Sequence, residues 1–342
     1  MNKIQKTKNK HSKLNKTLKF GIWVFLVICL ELGVWNLEFA KDAFAQTLSL
    51  SISPPILELT IQPGKSFTQT YTIENDGVPV VVSAKIVPFV PLDQNGHPEI
   101  IEDPNSVQSF SGWFSFDPRP ISLSSGESDS FNVKFTPPPA APEKDYYFTL
   151  LFTSGNDNQL NINETQSQIR LGTNILLTIS KDGNPQKTAS ISEFSAPILI
   201  DSFQNIIYKT AIQNTGSTFF KPTGTITVKQ RPFGSTTTFN IAPENVLAGS
   251  TRAVSCIDKE NIIPCGLPGK FLIGIYKATL SFTPDGSGQP MSKTIYSVAF
   301  PFSILIGLTI LIILYRIIHR LTSRSRKTEG NFLTSKEIKT KA

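Results

Sequence analysis

The sequence predicts an all-β protein that consists of two tandem β-sandwiches and a C-terminal transmembrane helix. First, most of residues 46–296 fall into short segments rich in Val, Ile, Thr and aromatic residues, separated by Pro, Gly, Asn, Asp and Ser. Such segments are typical of sandwich strands and their turns. Second, a strand–turn–strand pattern occurs twice, with TIENDG at 72–77 and AIQNTG at 211–216. Third, 22 uncharged residues run from Thr294 to Tyr315.

Residues 1–45 have the three parts of a secretory signal peptide. Residues 1–19 contain seven lysines and no acid, and the apolar run FGIWVFLVICL follows from Phe20 to Leu30. Ala43-Phe44-Ala45 then gives the small-x-small pattern of a cleavage site. The long basic part leaves an uncleaved anchor open as the alternative. In both cases we expect the following residues to be exported.

The first sandwich is predicted over residues 46–184. Many of its apolar segments alternate with period two, as strands do when one face is buried. The exported part shows no sustained helical period, which argues against a fold of alternating strands and helices. The predicted strands include SLSIS (49–53), ILELTI (56–61), SFTQTYTI (66–73), VVVSAKIV (80–87), SFNVKFT (130–136) and YYFTLLF (146–152).

The second sandwich is predicted over residues 188–296, because the order of segments around the two turns repeats. SPPILELTI precedes the first turn, and SAPILIDSF (195–203) precedes the second. We expect the Asn and Gly of each turn to tolerate positive φ where one strand turns into the next. Two immunoglobulin-like sandwiches explain this repeat. The turn-rich stretch KDGNPQK (181–187) marks their join.

Cys256 and Cys265 are the two cysteines that follow the predicted signal peptide. Disulfides persist outside the membrane, so we expect the pair to form a small loop clamp. The alternative is two free buried thiols.

The C-terminal apolar run predicts one transmembrane helix at residues 297–318. At about 1.5 Å per residue, a run of this length spans the roughly 30 Å hydrocarbon core of a bilayer. A basic tail follows at 319–342, and positive charge marks the cytoplasmic side of a span. We therefore expect a single-pass plasma-membrane protein with its N-terminal domains outside and its tail in the cytoplasm. The basic residues that follow Tyr315 begin with Arg316, Arg320, Arg324, Arg326 and Lys327.

The formal net charge of +7 comes from the two ends of the chain. Residues 46–315 carry 17 Lys and Arg against 21 Asp and Glu, a net charge of −4. A nucleic-acid-binding protein would carry its basic residues on a folded face. We therefore expect no nucleic-acid partner.

The exported part offers no recognisable catalytic set, and we expect neither an enzyme nor a cofactor. Its one histidine, His97, lies in a turn-rich stretch, and no G-x-S-x-G or H-E-x-x-H motif is present. Oxygen ligands in the loop 91–105 raise the question of calcium, but the order of a calcium-binding hand is absent. A solvated acidic loop is the simpler interpretation.

Trp113 is the candidate ligand platform. It stands before a predicted strand, with Phe114 and Phe116 nearby. Sandwich cores often bury a tryptophan, and that is the favoured interpretation. The alternative is an exposed ring whose apolar face would receive a sugar.

The stretch WFSFDPRPISLSSGESDSFNVKFTPPPAAPEKDYYFTLLFTS (113–154) resembles bacterial surface immunoglobulin-like domains. The whole layout is similar to the WxL-interacting proteins of Gram-positive cell surfaces. That resemblance implies a peptidoglycan-binding first domain, a partner-binding second domain, one span and a basic tail. The sequence departs from the pattern at PEKDYY (142–147), which lacks the usual glycine, and in its cysteine pair.

These observations favour a membrane-anchored surface protein that binds cell-wall peptidoglycan or surface proteins through its two sandwiches. The alternative is an immunoglobulin-like chaperone of pilus assembly or secretion, which donates a strand to its partner. A subunit of an enzyme that acts on the cell wall is a third hypothesis.

Overall fold

The computed structural model describes residues 49–154 and 169–339. The predicted signal peptide, residues 1–45, lies outside the described residues. So does the end of the predicted cytoplasmic tail.

The first sandwich packs two mainly antiparallel sheets against each other. Its strands are β1 (Leu50–Ser53), β2 (Ile56–Ile61), β3 (Phe67–Asn75), β4 (Val80–Pro91), β5 (Pro98–Ile100), β6 (Phe114–Ser115), β7 (Ile121–Leu123), β8 (Glu127–Phe135), β9 (Asp145–Ser154) and β10 (Arg170–Ile179). One sheet has the order β1–β3–β8–β6, and the other has the order β2–β10–β9–β4–β5 with β7 also on β4. The loop between β5 and β6 contains helix α1 (Pro104–Gln108) and a 3₁₀ turn (Ser111–Trp113).

The second sandwich has the same plan with a larger second sheet. Its strands are β11 (Ala189–Ser195), β12 (Leu199–Asp201), β13 (Ile206–Ile207), β14 (Lys209–Asn214), β15 (Thr223–Arg231), β16 (Thr236–Ile241), β17 (Thr251–Ala253), β18 (Cys256–Asp258), β19 (Asn261–Ile263), β20 (Gly266–Leu267), β21 (Gly274–Thr283) and β22 (Met291–Phe300). Its two main sheets have the orders β11–β14–β17 and β12–β22–β21–β15–β16–β18–β19, and β13 pairs with β20.

Each sandwich begins with a strand that changes sheets. β1 pairs antiparallel with β3, and β2 then pairs parallel with β10 in the opposite sheet. β11 and β12 do the same with β14 and β22. Proline, which has no N–H to donate to a ladder, lies at both crossings, as Pro54 and Pro197. This topology makes both units immunoglobulin-like, as the sequence predicts.

Alternating side chains form a separate core in each sandwich. In β21, every second residue is buried along the strand, which is the period-two pattern of a sheet with one covered face. Aromatic and branched side chains fill both cores because they bury the most apolar area per residue. The fully buried ones include Tyr71, Phe135, Phe148 and Phe152 in the first core and Phe220, Ile226, Leu280 and Phe282 in the second.

The two repeated turns have the same hydrogen bonds. The Oδ1 of Asn75 accepts from the N–H of Gly77 at 3.0 Å, and the Oδ1 of Asn214 accepts from the N–H of Gly216 at 2.9 Å. Neither pair has the positive φ that we expected. The asparagines are used instead for their side chains, each of which closes an Asx turn.

The apolar C-terminal run is divided between a strand and a helix. β22 continues to Phe300, where it is still paired with β12, and helix α2 (Phe302–Lys339) begins after Pro301. The helix therefore starts five residues later than the predicted 297, because residues 294–300 are needed to complete the second sandwich. Within the described chain, Phe302–Thr322 is the one helical segment long and apolar enough to cross a membrane, and the sandwiches cover none of it.

Candidate functional site

Trp113 lies at the rim of the first core and is half-buried. Its ring centroid is 4.7 Å from that of Tyr146 and 5.4 Å from that of Phe110, with the Phe110 ring edge-on. Phe148 beneath them is fully buried. The tryptophan is therefore neither a fully buried core residue nor a free platform, since one part of the ring packs inward and the rest is accessible.

The segment before β6 sets the position of the ring. The carboxylate of Asp103 accepts from the N–H of Ser106 at 2.9 Å and so caps α1. The N–H of Trp113 donates to the carbonyl of Phe110 at 2.9 Å, and the N–H of Thr136 donates to the carbonyl of Trp113 at 2.8 Å. The turn is thus fixed to the end of β8, so the ring has a defined place.

A shallow apolar cleft of about 250 Å³ lies beside this aromatic cluster, between α1 and the sheet of β4 and β9. Trp113 does not line it directly; Phe110 lies between the indole and the cleft. Phe110 was not predicted from the sequence, although its spacing of three residues from Trp113 places both on one helical turn. The cleft is lined mainly by Ala84, Ile86, Phe110, Ser111, Phe114 and Phe116.

The acids of the loop 91–105 are engaged in local contacts. Asp93 accepts from the N–H of Asn95 at 2.8 Å and lies 2.7 Å from His97 Nδ1. The hydrogen bond with His97 lowers the pKa of Asp93 to about 2. Glu102 contacts both Lys85 and Arg170, and hydrogen bonds from these two cations lower its pKa.

The described residues include no group of three or more His, Cys, Asp or Glu side chains placed to hold a metal ion. His97, the histidine of the first sandwich, is exposed and faces Asp93. The described contacts therefore bring no nucleophile to this histidine.

A second polar feature joins the two sandwiches at Asp145. Its backbone N–H donates to the carbonyl of Ser217 at 2.9 Å, and its Oδ2 accepts from the N–H of Phe219. The hydroxyls of Tyr147 and Thr178 donate to the same carboxylate at 2.8 Å and 2.7 Å. Burial raises the pKa of Asp145, while the hydrogen bonds act in the opposite direction.

Further hydrogen bonds join the two sandwiches on either side of Asp145 in the sequence. Glu58 on β2 accepts from Lys221 Nζ at 2.8 Å and from Asn245 Nδ2 at 2.7 Å. The carbonyl of Gln94, in the loop 91–105, accepts from the N–H of Ala253 at 2.7 Å. One weak sign of the contact is visible in the sequence, because Asp145 directly precedes a run of apolar strand residues.

Cys256 and Cys265 are joined by a disulfide, as predicted. Both are buried in the second core. The bridge closes a loop that contains the β18–β19 hairpin at the edge of the larger sheet. It thereby holds a short, solvent-facing hairpin to the core.

No family model matches the chain, and no curated protein matches it. Several solved structures are weakly similar. They include the class 5 fimbrial chaperone CfaA (13% identity, TM-score 0.36, covering 74% of this chain and 100% of that one) and the CupB2 chaperone of Pseudomonas aeruginosa (10% identity, TM-score 0.34, 73% and 100%). A chaperone–tip subunit complex of Csu pili from Acinetobacter baumannii is similar at 11% identity and a TM-score of 0.33, covering 74% of this chain and 99% of that chain. Identities and TM-scores this low do not identify a family.

Proposed function

We propose that this protein is a membrane-anchored binding protein whose first sandwich engages cell-wall polymer outside the cell. The observation that carries the proposal is the arrangement of the chain. An accessible aromatic cleft lies on one sandwich, and an uncovered apolar helix leaves the other sandwich at its last strand. A signal peptide and a basic tail, as the sequence predicts, orient the sandwiches outward.

The proposed anchor is supported by the length and exposure of α2. Twenty-one residues, Phe302–Thr322, measure about 30 Å along a helix axis, which matches the hydrocarbon core of a bilayer. Large apolar side chains on every side of the helix are exposed, including Leu311, Ile313 and Leu314. A soluble helix would bury one such face. These features favour membrane lipid as the environment of this segment.

The ligand class that we propose is supported by the shape and chemistry of the cleft. A sugar ring presents an apolar face and a polar rim, and aromatic rings receive the apolar face. The cleft offers the rings of Phe110, Phe114 and Phe116, and Lys85 provides a polar group at its side. Peptidoglycan is the wall polymer that we propose, in line with the resemblance to WxL-interacting proteins.

A protein partner is the second candidate, and one observation favours it. β2 pairs with β10 from Asn174 onward, whereas β9 pairs with β10 from Arg170 onward. Within the described part of the chain, residues 170–173 of β10 therefore have a neighbouring strand on one side only. Arg170 is exposed at this edge, whereas Thr173 is buried and its hydroxyl donates to the carbonyl of Pro54. A partner segment could add to this short edge, as strand-addition complexes do. This mode would suit a surface protein or a chaperone role.

The test is co-sedimentation of the full-length protein, held in lipid nanodiscs, with purified peptidoglycan sacculi. We expect the wild type to sediment with the sacculi. Ser111→Arg, at the exposed mouth of the cleft, should abolish this without affecting the fold. Trp113→Ala should weaken it because Phe110 loses its support.

Tyr296→Ala is the matched control, since it removes an exposed aromatic ring from the second sandwich. It should bind as the wild type does. If the wild type does not sediment, or if Ser111→Arg binds normally, the cleft is not a wall-binding site. A pull-down with substitutions at residues 170–173 would then test the strand edge.

A further inference from the structure

The end of the second sandwich from which α2 leaves is unusually apolar. We call it the α2 end and define it as the loops 201–205, 231–235 and 268–273 together with Phe300. Each loop exposes one phenylalanine, and Phe300 is exposed beside them. Between 42% and 68% of the surface of each of these four residues is accessible to solvent. The four residues are Phe203, Phe233, Phe271 and Phe300.

Strand register places these loops at one end of the sheet. Asp201, at the end of β12, is opposite Phe300, at the end of β22. Arg231 is opposite Ile275 at the start of β21. The carbonyl of Ile273 accepts from Gln230 Nε2 at 2.8 Å, which ties the loop 268–273 to the end of β15.

Backbone and ring contacts join two of the loops to each other. The N–H of Leu272 donates to the carbonyl of Ser202 at 2.7 Å, and the N–H of Gly269 donates to Asn205 Oδ1 at 2.7 Å. The rings of Phe203 and Phe271 have centroids 5.6 Å apart. The exposed rings therefore form part of one surface.

The α2 helix is fixed to this surface without a flexible linker. Pro301 alone separates β22 from α2. Asp201 Oδ2 accepts from the N–H of Ser303 at 2.8 Å, in the first turn of the helix. The ring centroids of Phe300 and Phe302 are 5.1 Å apart. Wherever α2 enters a membrane, the α2 end must lie at the membrane surface.

Phe271 gives an independent sign that exposure of these rings is useful. Its φ is +52°, in the left-handed region that a bulky side chain rarely adopts. A strained backbone that presents a large apolar ring to solvent has no evident benefit for the fold of a soluble domain. Strained residues of this kind cluster at functional sites, and a large exposed apolar ring on such a residue suits a binding role.

The charge of the three loops fits a membrane surface. Their basic residues are Arg231 and Lys270, each one or two positions from an exposed phenylalanine. Their one acid is Asp201, whose carboxylate is held by the N–H groups of Phe203 and Ser303. Aromatic rings flanked by basic side chains suit the region between acyl chains and phosphate groups.

We propose that the α2 end of the second sandwich inserts Phe203, Phe233 and Phe271 into the outer interface of the lipid bilayer. The inference rests on the proposed membrane anchor. The second sandwich then rests directly on the membrane surface rather than being tethered above it. The chemical partner is phospholipid.

The test uses the full chain in vesicles of phosphatidylcholine and phosphatidylglycerol with brominated acyl chains, which quench tryptophan. Phe203→Trp, Phe233→Trp and Phe271→Trp are compared with Gln289→Trp, in the exposed polar loop between β21 and β22. The control lies about ten strand residues, or roughly 30 Å, from the α2 end. The emission of the unsubstituted protein is subtracted from each spectrum.

We expect bromolipid to quench all three substituted α2-end positions and to leave Gln289→Trp unquenched. If none of the three positions is quenched in protein that resists alkaline carbonate extraction, the α2 end does not insert into the bilayer interface, although α2 still anchors the protein. Loss of the protein from the vesicles in carbonate would instead refute the anchor. The three positions are exposed and separate, so the result does not depend on one variant.

A second measurement examines the strained residue. Phe271→Gly relieves the left-handed backbone and removes the ring, so the melting temperature should stay the same or rise. Lys259→Gly is the matched control, because Lys259 also has a positive φ, of +57°, in the β18–β19 turn. A marked fall in melting temperature for Phe271→Gly alone would show that this ring serves the fold instead.

Discussion

The carboxylate of Asp145 in the first sandwich accepts a hydrogen bond from the backbone N–H of Phe219 in the second. The same carboxylate accepts from Tyr147 and Thr178, and the hydroxyl of Tyr147 in turn accepts from the N–H of Ala248 at 2.8 Å. One buried acid therefore connects two strands of its own sandwich to two loops of the next.

Removing the Asp145 side chain should separate the two sandwiches. Asp145→Ala leaves several buried donors without an acceptor, which costs on the order of 3 kcal/mol. We expect a lower melting temperature and faster protease cleavage near residues 181–187. Asp76→Ala, which removes an exposed acid elsewhere in the first sandwich, is the control and should have little effect. Cleavage at the wild-type rate would mean that other contacts hold the domains together.

The stability of the wild type relative to Asp145→Asn should fall as pH rises. Burial raises the pKa of Asp145 above its value in the unfolded chain, so the folded protein binds this proton more tightly. The resulting stabilisation is complete below the unfolded pKa, near 3.8, and is lost as pH rises through the raised folded pKa. Melting temperatures of both proteins from about pH 3 to pH 7 measure the difference. A difference that is constant or rises with pH would contradict the assignment.

The two repeated asparagines should be equally important to their own sandwiches. Asn75 Nδ2 donates to the carbonyls of Val78 and Leu123, and Asn214 Nδ2 donates to those of Thr218 and Val246. Asn75→Ala and Asn214→Ala each leave buried groups unpaired, at about 2–4 kcal/mol. Urea unfolding measures both.

The control for this pair is Gln213→Ala, next to Asn214 but exposed. Such a surface change should cost less than about 0.5 kcal/mol. If Gln213→Ala and Asn214→Ala lower the free energy of unfolding equally, the buried hydrogen bonds of Asn214 stabilise the fold no more than an exposed side chain does.

Reduction of the Cys256–Cys265 disulfide should destabilise the second sandwich alone. The bridge restricts a short loop in the unfolded chain, worth roughly 2–3 kcal/mol. We expect reductant to lower one of two melting transitions, and Cys256→Ser/Cys265→Ser to reproduce the effect. Reductant should not change the double variant further. An unchanged transition after verified reduction would show that the hairpin is held by its packing.

Ending the chain after Pro301 should release a folded protein into the medium. This truncation keeps all of β22, so far-UV circular dichroism should show a β spectrum. Deletion of residues 294–315, the span inferred from hydropathy, should instead give an unstable protein, because it removes most of β22 and its pairs with β21. Retention of the first truncation in the membrane would point to the N-terminal apolar segment as an anchor.

Local chemistry was sufficient to predict the strands, the repeat and the disulfide. Period-two alternation, turn residues and paired cysteines are properties of neighbours in the chain, so β2, β3 and β9 lie where their residues indicated. The first residue of the C-terminal helix could not be predicted in the same way. The uncharged residues 294–300 fit a strand with one buried face as well as the beginning of a membrane span. Hydropathy alone does not distinguish these two structures.

The sequence by itself determined that this chain is β-rich, has two similar halves and carries a C-terminal apolar segment. Only the tertiary structure decided that Asp145 joins the halves, that Trp113 is half-buried, and that Phe203, Phe233 and Phe271 share one end with α2. The physical reason is that these relationships link residues far apart in sequence. They depend on strand register and sheet order, which hydrophobic period and turn chemistry constrain but do not specify.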